Sequence, residues 1–155
     1  MRAIAPEYIL QKAVLGLSHA WTIACDAKSE VNMDMATAST IEAVEHFNEV
    51  FNRHDVDAIM AAMTNDCVFE NTAPFPDGTR YVGQTVVRAF WVDFFAASLH
   101  ARFSTEDMFA ADDRCVVRWR YDWGVPDGEP RYIRGVDVFR VRDGKVAEKL
   151  AYVKG

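Results

Sequence analysis

The sequence predicts an α+β domain, with helices packed on one face of a mainly antiparallel sheet. Three observations predict it. Apolar residues at helical spacing run from Thr40 to Met63 and return after Gly83. Four alternating segments then follow one another from about Ala101 to Val153. Each break between those segments is turn-prone, and helices gathered ahead of a strand meander are the α+β arrangement.

The chain has 155 residues, half of them hydrophobic, enough for one domain with one core that needs neither disulfides nor metal. A net charge of -6 arises from interspersed acids and bases. No basic block is present to neutralise a row of phosphates, which argues against a nucleic-acid partner. Cys25, Cys67 and Cys115 are widely spaced and odd in number, which fits a reducing cytoplasm better than a disulfide framework.

The first segment, residues 1–36, reads as a helical extension to a domain spanning 37–155. Leu10, Val14, Leu17, Trp21 and Ala24 recur at helical spacing. That run is too short for a bilayer, and Glu7, Lys12 and His19 interrupt it, so no membrane partner is expected. Met33 and Met35 stand just before the well-patterned part of the chain and are alternative start residues.

From Thr40, an N-cap residue type, Ile41, Val44, Phe47 and Phe51 mark one face of a helix that ends near His54. Asp55 caps a shorter helix carrying Val56, Ile59, Met60 and Met63, which closes at the polar turn Thr64-Asn65-Asp66. Cys67 to Thr72 reads as a strand and is followed by a loop with Pro74, Pro76 and Asp77-Gly78. The helix after Gly83 has a broad apolar stripe of Phe90, Trp91, Phe94 and Phe95 that must be buried.

The four strands are Ala101–Ala110, Arg114–Trp123, Tyr132–Val141 and Lys145–Val153. Asp143-Gly144 is a two-residue hairpin signal, because both residues tolerate the positive φ that such turns require. The second strand is the most informative. Its alternation puts Val117, Trp119, Tyr121 and Trp123 on one face and Arg118, Arg120 and Asp122 on the other. Pattern alone places the aromatic face in the core and the charged face in water.

Several stretches carry a family resemblance: Ile41 to Met63, Asp66-Cys67-Val68-Phe69-Glu70-Asn71, Gly83, Arg134-Gly135-Val136-Asp137-Val138-Phe139-Arg140, and Asp143-Gly144-Lys145-Val146. In that order they resemble the SnoaL-like branch of the nuclear transport factor 2-like superfamily over about residues 40–153. The resemblance implies a cone-shaped α+β barrel, a curved, mainly antiparallel sheet wrapped around three helices. It also implies cofactor-free enzymes related to polyketide cyclases, ketosteroid isomerases and limonene-epoxide hydrolases, with the pocket between sheet and helices.

Laid against the isomerase pattern, Asp137 matches the oxyanion-hole aspartate, Asn71 stands at the general base and Phe47 at the oxyanion-hole tyrosine. An asparagine cannot take a proton near neutral pH, which disfavours steroid isomerisation. Against the epoxide-hydrolase pattern, Asn71, Arg120 and Asp122 match, while Phe69 replaces a tyrosine and Ala151 an aspartate.

Both alignments turn Arg118, Arg120 and Asp122 into the pocket, reversing the pattern-based reading, together with Phe69, Asn71, Trp91, Asp137, Lys149 and Ala151. Nearby cations then keep both aspartates ionised. The expected machinery is Asp122 or Asp137 as acid/base with Arg120, acting on a small oxygenated hydrophobic molecule; Asn71, Arg118, Phe69, Trp91, Phe95, Lys149 and Phe47 bind it. No cofactor or metal is implied.

With those charges inside, Trp119, Tyr121, Trp123, Leu150 and Tyr152 lie on the convex face, and the resemblance implies a homodimer packed through it. A rival expectation is a ligand-binding or assembly module that uses the same cavity without chemistry.

Overall fold

The computed structural model of the chain describes residues 27–98, 100–123 and 131–155. Three helices, α1 (Ala27–Asn52), α2 (Val56–Ala61) and α3 (Gln84–Ala97), pack on one face of a six-stranded sheet. The strands are β1 (Met63–Glu70), β2 (Arg80–Val82), β3 (Arg102–Ala111), β4 (Arg114–Trp123), β5 (Arg131–Arg142) and β6 (Lys145–Val153), in the spatial order β2-β1-β6-β5-β4-β3. All neighbours are antiparallel except β1 and β6, and the sheet curves around the helices. The α+β reading therefore holds.

The amphipathic run from Leu10 to Ala24 lies outside the described residues. Helix α1 passes through the expected boundary at residues 36 and 37 without a break. Thr40 is not its N-cap: it sits well inside the helix, buried, and its hydroxyl donates to the Asp112 carbonyl at 2.7 Å. The Asp112 amide donates to Thr37 Oγ1 at 3.1 Å, so α1 holds the β3–β4 turn from one face. A polar residue mistaken for a helix start is thus a tertiary contact.

Asp55 does cap α2, its side chain accepting from the Ala58 amide at 3.0 Å. The helix stops sooner than its apolar spacing suggests, because Met63 already pairs with Val146 in the sheet. Thr64-Asn65-Asp66 is accordingly not a turn but the irregular first half of β1, whose register shifts between Met63 and Val68. The strand ends at Glu70 instead of Thr72, and the short strand β2, unforeseen in sequence, pairs back onto it.

The meander follows its pattern closely. Asp143 and Gly144 take φ of 53° and 69°, the left-handed pair of a two-residue hairpin. Two side-chain clamps fix the helices on the sheet. Asn52 donates to the Phe103 carbonyl and accepts from the Phe103 amide, both at 2.9 Å, which sets the end of α1 against the start of β3. Gln84 Nε2 donates to the Met60, Met63 and Thr64 carbonyls and so seats the start of α3. The core between the layers includes Val44, Phe47, Phe51, Trp91, Val117 and Phe139. Cys67 and Cys115 are buried within it as small core residues, and burial pushes the Cys115 thiol up to about 11.

Candidate functional site

The inner face of the sheet is set by β4 and β5. Val117 and Trp119 are buried on β4 while Arg118 between them is exposed, so the odd positions face the helices. Val117 is the register partner of Asp137, which brings Asp137 to the same inner face with Ile133, Gly135 and Phe139. On β6, Lys149 pairs with Phe69 of β1 on one side and Phe139 of β5 on the other, and faces inward too.

A cavity of about 310 Å³ opens above these strands, within the range of small-ligand pockets. Its walls are largely aromatic: Phe51, Phe69, Phe90, Trp91, Phe94, Phe103, Trp119 and Tyr121. Asn71, Thr72, Ala73, Ile133 and Ala151 complete it, and Asp137 and Lys149 supply its charge.

Lys149 Nζ lies 2.7 Å from Asp137 Oδ2, with side-chain exposures of only 7% and 1%. Lys149 also sits 5.4 Å from the Phe69 ring centre and 5.6 Å from that of Phe139. Burial pushes the Asp137 carboxyl above its ordinary range, opposed by the Lys149 charge and, more weakly, by the indole N–H of Trp119. Desolvation thus works against the single cation beside this aspartate. Burial also raises the Tyr121 phenol, partly offset by the Ser98 side chain.

Several polar groups in the walls lack an aligned hydrogen-bond partner within the protein: Trp91 Nε1, Trp119 Nε1, Tyr121 Oη and both Asp137 oxygens. Buried polar groups are ordinarily paired, and these unpaired atoms gather in one cavity. Lys149 and Asp137 meet as a close buried ion pair.

The expected site residues divide into three sets. Phe69, Asn71, Trp91, Asp137 and Lys149 line the cavity. Phe47 and Phe95 stand behind its wall as core, Phe47 against Trp91 and Phe139, Phe95 against Phe51 and His54. Arg118, Arg120 and Asp122 point the other way, a correction of the resemblance-based register.

On the outer face, Arg118 and Arg134 share Glu106 at 3.6 and 2.7 Å. Arg120 grips both oxygens of Asp122 at 2.6 to 2.9 Å and stacks on Tyr132 at 4.0 Å. The physical reason is burial: an indole and a phenol gain from leaving water, whereas a surface Arg–Asp pair loses nothing by staying in it. Trp119 and Tyr121 consequently leave the expected convex set, and the Trp123 ring lies tilted beside that of Tyr121, with centres 5.9 Å apart. Leu150 and Tyr152 remain outside.

Asn71 reaches the cavity but spends its carbonyl oxygen on the mouth loop, accepting from the Thr79 amide at 2.8 Å and the Ala73 amide at 3.2 Å. Gly78, at φ 71°, lies against the Asn71 carbonyl, where a Cβ would stand only 2.0 Å away. Trp119 and Tyr121 are the site residues that the resemblance misplaced. Their signal was the plain alternation of β4.

Fold and site define an α+β domain with a buried carboxylate–ammonium pair at the foot of an aromatic cavity. The family profile of the SnoaL-like domain matches residues 44–149, and the chain belongs to that family. An NTF2-like protein of unknown function from Mesorhizobium loti is 39% identical, with a TM-score of 0.65 over 77% of this chain and 93% of that one. A candidate polyketide cyclase from Xanthomonas campestris pv. campestris shares the fold at 23% identity, with a TM-score of 0.62 over 77% and 93% of the two chains. An LEH-like epoxide hydrolase of M. tuberculosis does so at 20% identity and 0.62 over 76% and 84%. No curated protein matches the chain.

Proposed function

We propose that this chain is a small-molecule pocket protein acting as a cofactor-independent acid/base catalyst on a small oxygenated hydrophobic substrate. The observation that carries the proposal is the Asp137–Lys149 pair, shut off from solvent at the foot of the aromatic cavity. Asp137 is the proton-transfer group, its affinity for a proton raised by burial. Lys149, with the Trp119 and Tyr121 donors, stabilises negative charge as it develops on the substrate oxygen.

Asp137 is the only carboxylate lining the cavity among the described residues. This favours a single-base reaction, an isomerisation or cyclisation through an enolate, over epoxide opening shared between two carboxyl groups. The test is hydrogen–deuterium exchange at the α-carbon of 2-tetralone in D₂O, followed by NMR. Wild type should exceed buffer, and Asp137→Asn should fall to buffer while keeping its circular dichroism. Exchange unchanged by Asp137→Asn would end the proposal.

A non-catalytic binding module is the second reading, supported by Asn71, whose carbonyl oxygen is committed to the mouth loop. Tight 2-tetralone binding without exchange would select it. We further propose a homodimer through the outer sheet face. Supporting it is an outward apolar row of register partners, Phe109, Val116, Val138 and Leu150, with Tyr152 beside it. A cytoplasmic setting is proposed on the free thiols Cys67 and Cys115. No described helix is long and apolar enough to cross a membrane.

A further inference from the structure

Donors outnumber acceptors in the cavity. The Lys149 ammonium, the indole N–H groups of Trp91 and Trp119 and the Tyr121 hydroxyl all donate, and the last three have no well-aligned acceptor in the protein. Against them stands the one carboxylate, Asp137. A donor-rich site with aromatic walls selects a flat guest carrying acceptor oxygens, and an oxyanion most strongly.

Such a guest meets an obstacle. Lys149 is already neutralised by Asp137 at 2.7 Å. A third charge laid beside a closed ion pair has no counter-ion, and an unpaired charge is not tolerated at that depth. Neutrality is restored if Asp137 gains a proton, since Lys149 is then free to pair with the guest. The protonated carboxyl also becomes one more O–H donor toward it.

We propose that the cavity binds flat aromatic oxyanions by exchange of partners: the ligand takes the place of Asp137 at Lys149 Nζ, and Asp137 takes one proton from solvent. The inference rests on the cavity being the small-molecule site argued above and adds the charge class of its ligand. One anion and one proton enter and nothing leaves; the only bond formed is the O–H of Asp137. The groups around Asp137 permit it. Lys149 faces it from β6 and Trp119 from β4, Tyr121 lines the same cavity, and α1 and α3 contribute only Phe51, Phe90, Trp91 and Phe94 to the lining. Burial of Asp137 acts in the same direction.

Calorimetric titration at pH 7.5 with 2-naphthoate and its neutral near-isostere 2-acetylnaphthalene, in buffers of different ionisation enthalpy, tests the exchange. Naphthoate should take up about one proton per molecule bound and weaken by about tenfold per unit of rising pH, and the ketone should do neither. Asp137→Asn should bind naphthoate more tightly and without uptake, whereas Lys149→Met should lose naphthoate and keep the ketone. Naphthoate bound to wild type without proton uptake, or more weakly than the ketone, overturns the exchange and leaves the pocket standing. Failure of both probes to bind overturns the pocket and the exchange together.

Discussion

Trp119 lies across the backbone of Gly135: a Cβ built on that glycine would stand 2.3 Å from the indole ring and 2.2 Å from the Tyr152 carbonyl oxygen. The missing side chain on β5 is what lets a ring from β4 fold over its neighbour strand beside Asp137. Gly135→Ala should force both strands apart or turn the indole into the cavity, at about 1–3 kcal/mol, the ordinary cost of overpacking. Urea denaturation and tryptophan fluorescence read the two effects, and a variant matching wild type in both would contradict the packing.

Lys149→Met leaves Asp137 buried without its cation. Removing one partner of a buried pair costs about 3–5 kcal/mol, because the remaining charge is stranded. The sign of the pH dependence follows from burial having raised the native carboxyl above its unfolded value. The native state binds the proton more tightly, so Asp137 contributes stability below its unfolded range that is lost as pH rises toward its native value. The methionine variant should extend that loss to higher pH, and adding Asp137→Leu should remove the slope and recover much of the stability. Chemical denaturation across pH 4 to 8 is the measurement, and a loss in Lys149→Met that did not vary with pH would be the contrary result.

Arg120→Gln and Asp122→Asn test the corrected register. Both groups are about one-third exposed, and the pair lies on the outer face. Each variant should match wild type in melting temperature within error and leave 2-tetralone exchange untouched, as expected for an exposed pair. Exchange abolished by either would return these residues to the reaction centre.

Leu150→Glu places a charge in the outward apolar row between Val138 and its neighbours. Light scattering at micromolar concentration should find a dimer for wild type and a monomer for the variant. A monomeric wild type would contradict the dimer.

What the sequence disclosed was governed by the kind of force involved. Strands β4 and β6 begin and end where alternation puts them, since one face buries and the other does not. Thr40 and Thr64-Asn65-Asp66 misled because their hydroxyl and amide chemistry reads as local capping, while the fold spends Thr40 on a bond to residue 112, far along the chain. The cavity's Asp137 and Lys149 came from the resemblance, which β-register can transfer only if every strand is counted alike. On β4 that count was off by one residue, and a slip of one exchanges the faces. The alternation of Trp119 and Tyr121 with Arg118 and Arg120 was the sounder guide.

The parallel pairing of β1 with β6 has a consequence for how the protein is made. Residues 63–70 emerge early from the ribosome, yet the partner that joins them and β2 to the rest of the sheet is the final strand. Since that strand also brings the ammonium group of the cavity, a nascent chain halted before residue 145 has neither a continuous sheet nor the cation paired with Asp137.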